Sequence, residues 1–179
     1  MTTTDEALAL AAATGDRDAF AALLNRHYDK LFRLAFRLTG SRAEAEDLTQ
    51  DICAALPARI TTFRAQSRFS TWLYRIAVNA AHDRRRRAAT HSKAARGWGV
   101  WEQNRRAEIS QTKEQLNWLQ TTMNALPDDQ RDTLALVLED ELTHAAAGKI
   151  LGVSEGTISW RMSQVKKTLR DLAAKEQRS

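Results

Sequence analysis

Apolar residues recur at three- and four-residue spacing along most of the chain, and this pattern restricts the possible fold more than any other feature. Between Gly15 and Gly40 it runs through Phe20, Leu23, Leu24, His27, Leu31, Leu34 and Leu38. Such spacing places residues on one face of an α-helix, and no segment shows the two-residue alternation of a strand. The sequence therefore predicts an all-α protein.

Start and stop residues divide the N-terminal part into four helices. A short helix over residues 5–14 precedes a long one, which Asp16 or Asp18 caps. Pro57 breaks or kinks the third helix, which opens at Ser41 and has an inward stripe of Leu48, Ile52 and Leu56. The fourth helix covers residues 69–87.

The helical pattern fades after this point and then resumes. Residues 89–111 include two glycines and two tryptophans, Trp98 and Trp101, whose roles stay open. That composition predicts a flexible linker. Further helices are expected over 113–125 and 127–142. We therefore expect two small helical domains, over residues 1–88 and 112–179, joined by the linker over 89–111.

Composition narrows the classes of function. The net charge of +5 favours an anionic partner. Because Cys53 is the only cysteine and the four histidines are scattered, no disulfide, metal, cofactor or catalytic site is expected. No apolar run reaches the roughly 20 residues of a membrane span, and the first residues do not resemble a signal peptide. We expect a cytoplasmic protein without membrane insertion.

The segment "LTHAAAGKILGVSEGTISWRMSQVKKTLRDL" divides into a short helix, a turn at Gly152–Val153 and a second helix that Ser154 caps. In the second helix one narrow arc is apolar: Ile158, Met162, Val165 and Leu169. The opposite arc is small and polar apart from Trp160, which is typical of a helix-turn-helix that reads the major groove. The alternatives are an αα-hairpin with a solvated basic side, and a Trp160 that docks on another protein.

The stretch "TWLYRIAVNAAHDRRRR" has more aromatic residues than one core stripe requires. That stripe consists of Phe69, Leu73, Ile76 and Ala80, and the next face of Trp72, Arg75, Asn79, His82 and Arg86. A ring, an amide and cations suit a single nucleic-acid strand, since bases stack and phosphates attract arginine. Alternatively, Trp72 and Tyr74 pack into a larger core and the arginines form a solvated helix end.

Three stretches in this order resemble the extracytoplasmic-function (ECF) sigma factors of bacterial RNA polymerase. They are "AFAALLNRHYDKLFRLAFRLTGSRAEAEDLTQD", "FRAQSRFSTWLYRIAVNAAHDRRRR" and "ALPDDQRDTLALVLEDELTHAAAGKILGVSEGTISWRMSQVKKTLRDL". The resemblance implies an alternative sigma factor that binds core RNA polymerase and directs promoter recognition, DNA melting and transcription initiation. It also implies no catalytic site and control by an anti-sigma factor.

The resemblance assigns roles to residues of the N-terminal domain. Contact with the β′ clamp helices of the polymerase is expected from Asp47, Leu48, Gln50 and Asp51. The loop of Ala65, Gln66, Ser67 and Arg68 corresponds to the family's minus-10 reading loop, which accepts a base turned out of the stack. The unpaired strand is expected beside Trp72, Tyr74, Arg75 and Asn79, with its phosphates near Arg84, Arg85 and Arg86.

The C-terminal domain is expected to contact the polymerase β flap and to read duplex minus-35 DNA. The residues nearest to DNA are Ser154, Glu155, Gly156, Thr157, Ser159, Trp160, Arg161, Ser163, Gln164 and Lys167, with Lys166 and Arg170 near phosphates. This domain departs from the family pattern at two places. Ala147 and Gly148 replace larger residues, which predicts looser packing of the first helix, and Trp160 replaces a small residue, which affects minus-35 specificity.

Two other classes of function predict different behaviour. A helix-turn-helix repressor that dimerises through its N-terminal domain binds a palindromic duplex without other proteins. An adaptor that docks a partner through its tryptophans has no promoter-specific effect. The acidic stretch "AEAEDLTQD" favours the sigma factor, because a repressor has no evident use for it.

Overall fold

The computed structural model describes residues 2–94, 111–139 and 142–178. All regular structure within these ranges is helical, which confirms the all-α prediction, and Trp98 and Trp101 lie outside them. The helices are α1 (Asp5–Ala13), α2 (Arg17–Thr39), α3 (Arg42–Arg59), α4 (Phe69–Ala94), α5 (Gln111–Ala125), α6 (Asp128–Val137), α7 (His144–Leu151) and α8 (Glu155–Glu176). None of these helices is long and apolar enough to cross a membrane.

Side-chain caps determine where the helices begin. The Asp16 carboxylate accepts a hydrogen bond from the Ala19 backbone N–H at 3.0 Å, so Asp16 rather than Asp18 caps α2. Ser41 caps α3, and the Ser154 hydroxyl accepts from the Thr157 N–H at 3.1 Å at the start of α8. Each cap supplies an acceptor to an N–H group that has no partner within the helix.

Helix α3 continues through Pro57 to Arg59, so of the two predicted effects of this proline the break does not occur. Proline removes its own N–H from the helical hydrogen bonds and crowds the carbonyl four residues earlier, so the helix continues past Pro57 only because other interactions hold it. The flanking residues Leu56 and Ile60 are both buried, so packing of the N-terminal domain holds that turn in place.

The ends of α4 and α6 also differ from the predictions. Helix α4 runs to Ala94, past the predicted end at Arg87. Helix α6 stops at Val137 rather than near residue 142. In the turn after Val137 the side chain of Glu139 is buried while Leu138 stays exposed, so the chain leaves the helix where a carboxylate has partners in the interior.

The predicted inward stripes form the cores of the two domains. In α3 the side chains of Leu48, Ile52 and Leu56 are all buried against α2 and α4. In α8 Ile158 and Val165 are buried, and Met162 and Leu169 pack at the edge of the same core. Each fully buried aliphatic side chain contributes about 1.5–3 kcal/mol of transfer free energy.

The two domains lie against each other, with α2 contacting α6 and α4 contacting α7. Gly40 ends α2 in the left-handed conformation, with a φ of 66°. A Cβ at this position would lie 2.3 Å from the Oδ1 atom of Asn124 in α5. Gly40 therefore serves the C-cap of α2 and the close approach of α5. Sequence patterns gave no indication of this contact between domains.

Candidate nucleic-acid interface

The helix-turn-helix presents the outward arc of α8 to solvent. The Trp160 side chain is 59% exposed, and Glu155, Gly156, Ser159, Ser163 and Lys167 are exposed beside it. Gln164 and Thr157 are half-buried at the margins, and Ser154 is exposed while capping the helix. This arrangement suits a helix that enters a major groove.

Two predicted DNA contacts of α8 have partners in their own domain. The Arg161 guanidinium lies 3.5 Å from the carboxylate of Asp129 in α6, and only 18% of its side chain is exposed. The Ser159 hydroxyl lies 3.2 Å from Nδ1 of His144 in α7. These contacts fix α8 on α6 and α7, and DNA would have to compete for both side chains.

The turn between α7 and α8 is tight, contrary to the looser packing that the small residues of α7 predict. Ala147 is fully buried, and a Cβ at Gly148 would lie 2.7 Å from the backbone oxygen of Val153. Gly152 ends α7 in the left-handed conformation, with a φ of 70°. The small residues therefore allow the turn to pass directly over α7.

The loop before α4 is exposed at all four positions of the predicted minus-10 loop, Ala65, Gln66, Ser67 and Arg68. Ala65 has a positive φ of 53°, which is uncommon for a residue with a side chain. The buried rings of Phe63 and Phe69 anchor the two ends of the loop, with their centroids 5.7 Å apart. The loop is thus held at its base and open to solvent at its tip.

Helix α1 supports the same loop, which the sequence did not predict. The Glu6 carboxylate accepts a hydrogen bond from the Phe69 backbone N–H at 3.0 Å and so caps α4 from another helix. Asp5 holds α1 on α2 by accepting from Arg26 at 2.8 Å, with Nε2 of His27 2.7 Å away. No local spacing relates Glu6 to Phe69, so only the fold brings them together.

Four residues form a stripe along the start of α4 at four- and three-residue spacing: Arg68, Trp72, Arg75 and Asn79. We call this set the α4 stripe. Arg68, Arg75 and Asn79 are exposed. The Trp72 ring is half-buried between Phe63 and Phe69, with centroid distances of 5.4 Å and 5.6 Å. Trp72 therefore belongs to an aromatic cluster and shows solvent only part of its ring.

The other predicted minus-10 residues of α4 are engaged within the protein. Tyr74 is 1% exposed and its hydroxyl donates to Glu139 at 3.2 Å, so in this state its ring cannot stack on a base. Arg84 pairs with Asp51 of α3 at 2.8 Å, Arg85 with Asp132 of α6, and Arg86 with Asp83. Arg84 and Arg85 are therefore tied to other helices, whereas the Arg86 side chain is 79% exposed at the surface of α4.

The outward side of α3 is acidic and exposed. Asp47, Gln50 and Asp51 are exposed at the predicted polymerase-contact motif, whereas Leu48 is buried in the core. Leu48 therefore orients the helix, and its polar neighbours form the surface. No group of three or more His, Cys, Asp or Glu in the described ranges could hold a metal ion. Cys53 is half-buried, and burial raises the pKa of its thiol.

Two family models match the chain, in the order of the two domains. Sigma-70 region 2 matches residues 23–91, and Sigma-70, region 4 matches residues 122–171. The first match contains the acidic side of α3 and the α4 stripe, and the second contains the helix-turn-helix.

Curated proteins and solved structures show the same similarity. The ECF RNA polymerase sigma factor SigW of Bacillus subtilis is 32% identical over 88% of this chain and 92% of that protein. SigM of Mycobacterium tuberculosis is 35% identical over 94% of this chain and 84% of that protein. The sigma factor RpoE from Bartonella quintana, solved in complex with the anti-sigma factor NepR, has a TM-score of 0.71 and 23% identity, covering 87% of this chain and 96% of that one. At that identity the structural likeness supports the fold alone.

Proposed function

The chain belongs to the ECF sigma factors of the sigma-70 family, and from this premise we propose how its surfaces divide the work of starting transcription. The N-terminal domain binds core RNA polymerase and opens the minus-10 element. The C-terminal domain contacts the β flap and reads the minus-35 duplex. The chain acts in the cytoplasm as a specificity subunit without a catalytic site of its own.

The observation that carries this proposal is the α4 stripe beside the exposed loop of residues 65–68. Guanidinium groups at Arg68 and Arg75 attract phosphates, the Asn79 amide can bond a base edge, and part of the Trp72 ring offers a stacking surface. Stacking on an aromatic side chain is worth about 1–3 kcal/mol per base. Trapping unpaired bases in this way opens DNA without nucleotide hydrolysis.

The acidic side of α3 supports polymerase binding. The carboxylates of Asp47 and Asp51 and the amide of Gln50 are complementary to basic residues of the clamp helices, and such complementarity orients partners and raises association rates. Asp51 already binds Arg84, so a clamp arginine that takes Asp51 would release Arg84 toward DNA phosphates.

The exposed arc of α8 supports minus-35 reading. Ser159, Ser163 and Gln164 offer hydrogen-bonding groups, and the Trp160 ring offers an apolar surface that suits a thymine methyl group. Lys166, Lys167 and Arg170 are exposed farther along α8, where they suit phosphates. Because the two reading surfaces are tethered in one chain, each can be weak by itself.

Regulation by an anti-sigma factor is part of the proposal. RpoE of similar fold was solved with the anti-sigma factor NepR, and the resemblance of the sequence implies the same type of control. An anti-sigma factor would act by covering the acidic side of α3, the arc of α8, or both. Co-purification of the chain with a protein that abolishes its transcription activity would test this.

The proposed function is tested by run-off transcription with core RNA polymerase, with and without the chain, on promoter fragments from its own genome. We expect defined start sites that appear only when the chain is added. If no start site depended on it, the proposal would be abandoned. Tight binding of the chain alone to a palindromic duplex would instead support a repressor.

A narrower experiment tests the α4 stripe. The double variant Arg75→Ala and Asn79→Ala removes two exposed side chains, so the fold and polymerase binding should persist while permanganate reactivity of promoter thymines falls at least tenfold. Arg33→Ala, an exposed arginine of α2, is the matched control. Trp72→Ala is unsuitable because Trp72 packs on Phe63 and Phe69. Unchanged reactivity would remove the stripe from the melting mechanism.

A further inference from the structure

Two buried carboxylates of the C-terminal domain point into the N-terminal domain. Asp132 in α6 is 3% exposed and Glu139, in the turn after α6, is 7% exposed. Carboxylates are rarely buried unless they are paired, because leaving water is costly for a charge. All the hydrogen-bond and ion-pair partners described for these two groups belong to α2 and α4 of the other domain.

Asp132 engages the middle of α4. Its Oδ2 atom lies 2.7 Å from Nε2 of His82 and accepts from Nη1 of Arg85 at 3.0 Å, and its Oδ1 atom accepts from Nη2 of the same arginine. The Arg85 guanidinium also donates to the Leu38 backbone oxygen at 3.2 Å. Burial alone would lower the pKa of Arg85, but Asp132 more than compensates and raises it, so this arginine stays charged.

Glu139 engages α2 and the start of α4. It accepts from Nη1 of Arg37 at 2.6 Å and from the Tyr74 hydroxyl at 3.2 Å. Arg37 also donates to the Ala135 backbone oxygen of α6 at 3.3 Å. The bare Cα of Gly40 lets Asn124 approach the end of α2 at the same interface. The two carboxylates therefore hold the C-terminal domain against one face of the N-terminal domain at two points.

The contacts of these carboxylates with the N-terminal domain compete with DNA binding. Tyr74 and Arg85 belong to the segment of α4 that the family resemblance assigns to the minus-10 element, and Arg85 cannot hold Asp132 and a phosphate in the same geometry. The spacing of the two promoter elements adds a stronger restriction. The labels minus-35 and minus-10 place the two elements about 25 base pairs apart, which is about 85 Å of duplex at about 3.4 Å per base pair.

A compact chain of 179 residues has a radius of gyration of about 16 Å and is therefore only about 40 Å across. In the closed arrangement the chain can contact one promoter element but not both. We propose that Asp132 and Glu139 form a latch that holds the chain in a closed, autoinhibited state, and that the domains must separate before both elements are read. The latch follows from the contacts, whereas its inhibitory role rests on the proposed function.

The chemistry of the latch makes it reversible. Attraction between buried charges is largely offset by the loss of their hydration, so an ion-paired interface gains little net stability compared with separated, hydrated groups. Polymerase or DNA that supplies alternative partners for Arg85 and Arg37 can then shift the equilibrium toward the open form.

Charge exchange between Arg37 and Glu139 tests the latch in the full chain, with the radius of gyration from small-angle X-ray scattering as the measurement. We expect about 16 Å for the wild type. Arg37→Glu or Glu139→Arg places like charges in contact and should raise the radius by several ångströms. The double variant restores an opposite pair and should return the radius most of the way to the wild-type value.

Asp29→Arg reverses an exposed carboxylate of α2 and should not change the radius. Circular dichroism verifies that each variant stays helical, and Asp132→Asn gives a second, milder opening variant that does not depend on the Arg37 pair. An extended wild type, or single reversals as compact as the wild type, would overturn the latch.

Open-complex formation at limiting chain concentration tests the inhibitory role. If nine chains in ten are closed, the opened variants should bind promoter and core polymerase with about tenfold higher apparent affinity, because the closed fraction no longer competes. Opened variants that bind no better would overturn the autoinhibition. If no variant, including the wild type, supported transcription, the sigma function would fail while the scattering series still decided the latch.

Discussion

Helices α4 and α8 are both predicted to read nucleic acid, yet they differ in how many neighbours they pack against. Helix α8 contacts α6 and α7 along one side, and its polar arc stays open. Helix α4 contacts α1, α2, α3 and α7, and in its first half only Arg75 and Asn79 are exposed. A helical period predicts which residues share a face, but the number of occupied faces depends on the tertiary structure.

Tyr74 and Trp160 are both predicted from the sequence to contact nucleic acid, but their replacement by alanine should change the free energy of unfolding by very different amounts. Tyr74→Ala removes a buried ring and should lower the free energy of unfolding by about 3–5 kcal/mol. Trp160→Ala removes an exposed ring and should change that free energy by less than about 0.5 kcal/mol. Urea denaturation of both variants measures the difference. Equal stability of the two variants would contradict the assignment of Tyr74 to the core.

DNA binding should depend on the exposed ring of Trp160. Trp160→Ala should weaken binding of the chain and core polymerase to a minus-35 duplex, whereas Trp160→Phe keeps an apolar ring and should retain most of the binding. Competition with an unlabelled duplex measures both variants. Wild-type DNA affinity in Trp160→Ala would favour the interpretation of Trp160 as a docking residue for another protein.

The acidic residues of the C-terminal domain offer a second contrast. Asp132→Ala leaves Arg85 without its buried counter-charge and favours the open form, in which Arg85 is hydrated, so it should destabilise the chain by only about 1 kcal/mol. Asp171→Ala removes an exposed carboxylate from α8, and its effect should stay within about 0.5 kcal/mol. Thermal unfolding of both variants measures this contrast. Equal melting temperatures would mean that the interface around Asp132 contributes nothing to stability.

The glycines of the helix-turn-helix test how tightly α7 packs. A methyl group at Gly148 would lie 2.7 Å from the Val153 oxygen, so Gly148→Ala should cost about 1–3 kcal/mol. At Gly156 the nearest atom is the Ser154 Oγ at 3.8 Å, so Gly156→Ala should stabilise α8 by about 0.5–1 kcal/mol. Chemical denaturation measures both. A neutral Gly148→Ala would support the looser turn that the sequence predicts.

The sequence was sufficient for the elements that one helical period determines. The caps at Asp16 and Ser154, the stripe of α3 and the exposed arc of α8 depend on residues within a few positions of each other. Tyr74, Asp132 and Glu139 could not be assigned in this way, because their partners lie 47 or more positions away in the sequence and meet only when the two domains come together, as with Glu139 and Tyr74 at a separation of 65. The Glu6 cap of α4 could not be predicted for the same reason, because Glu6 and Phe69 are 63 positions apart.

The smallest predicted effect concerns helix α1, which caps the start of α4 through Glu6 and is held on α2 by Asp5. Burial alone would raise the pKa of Asp5, but hydrogen bonds from Arg26 and His27 outweigh it and hold the pKa below its ordinary value of 3.8. A lowered carboxylate pKa means that the pair stabilises the folded chain above pH 3.8 and that this stability is lost as the pH falls through the folded pKa. The pair is partly exposed, so its contribution should be about 0.5 kcal/mol.

Urea unfolding at pH 5 and pH 3 should therefore show a smaller loss of stability in Asp5→Asn than in the wild type. Equal losses would mean that Asp5 does not hold α1 in place, and that the Glu6 cap beside the minus-10 loop is maintained by packing of α1 alone.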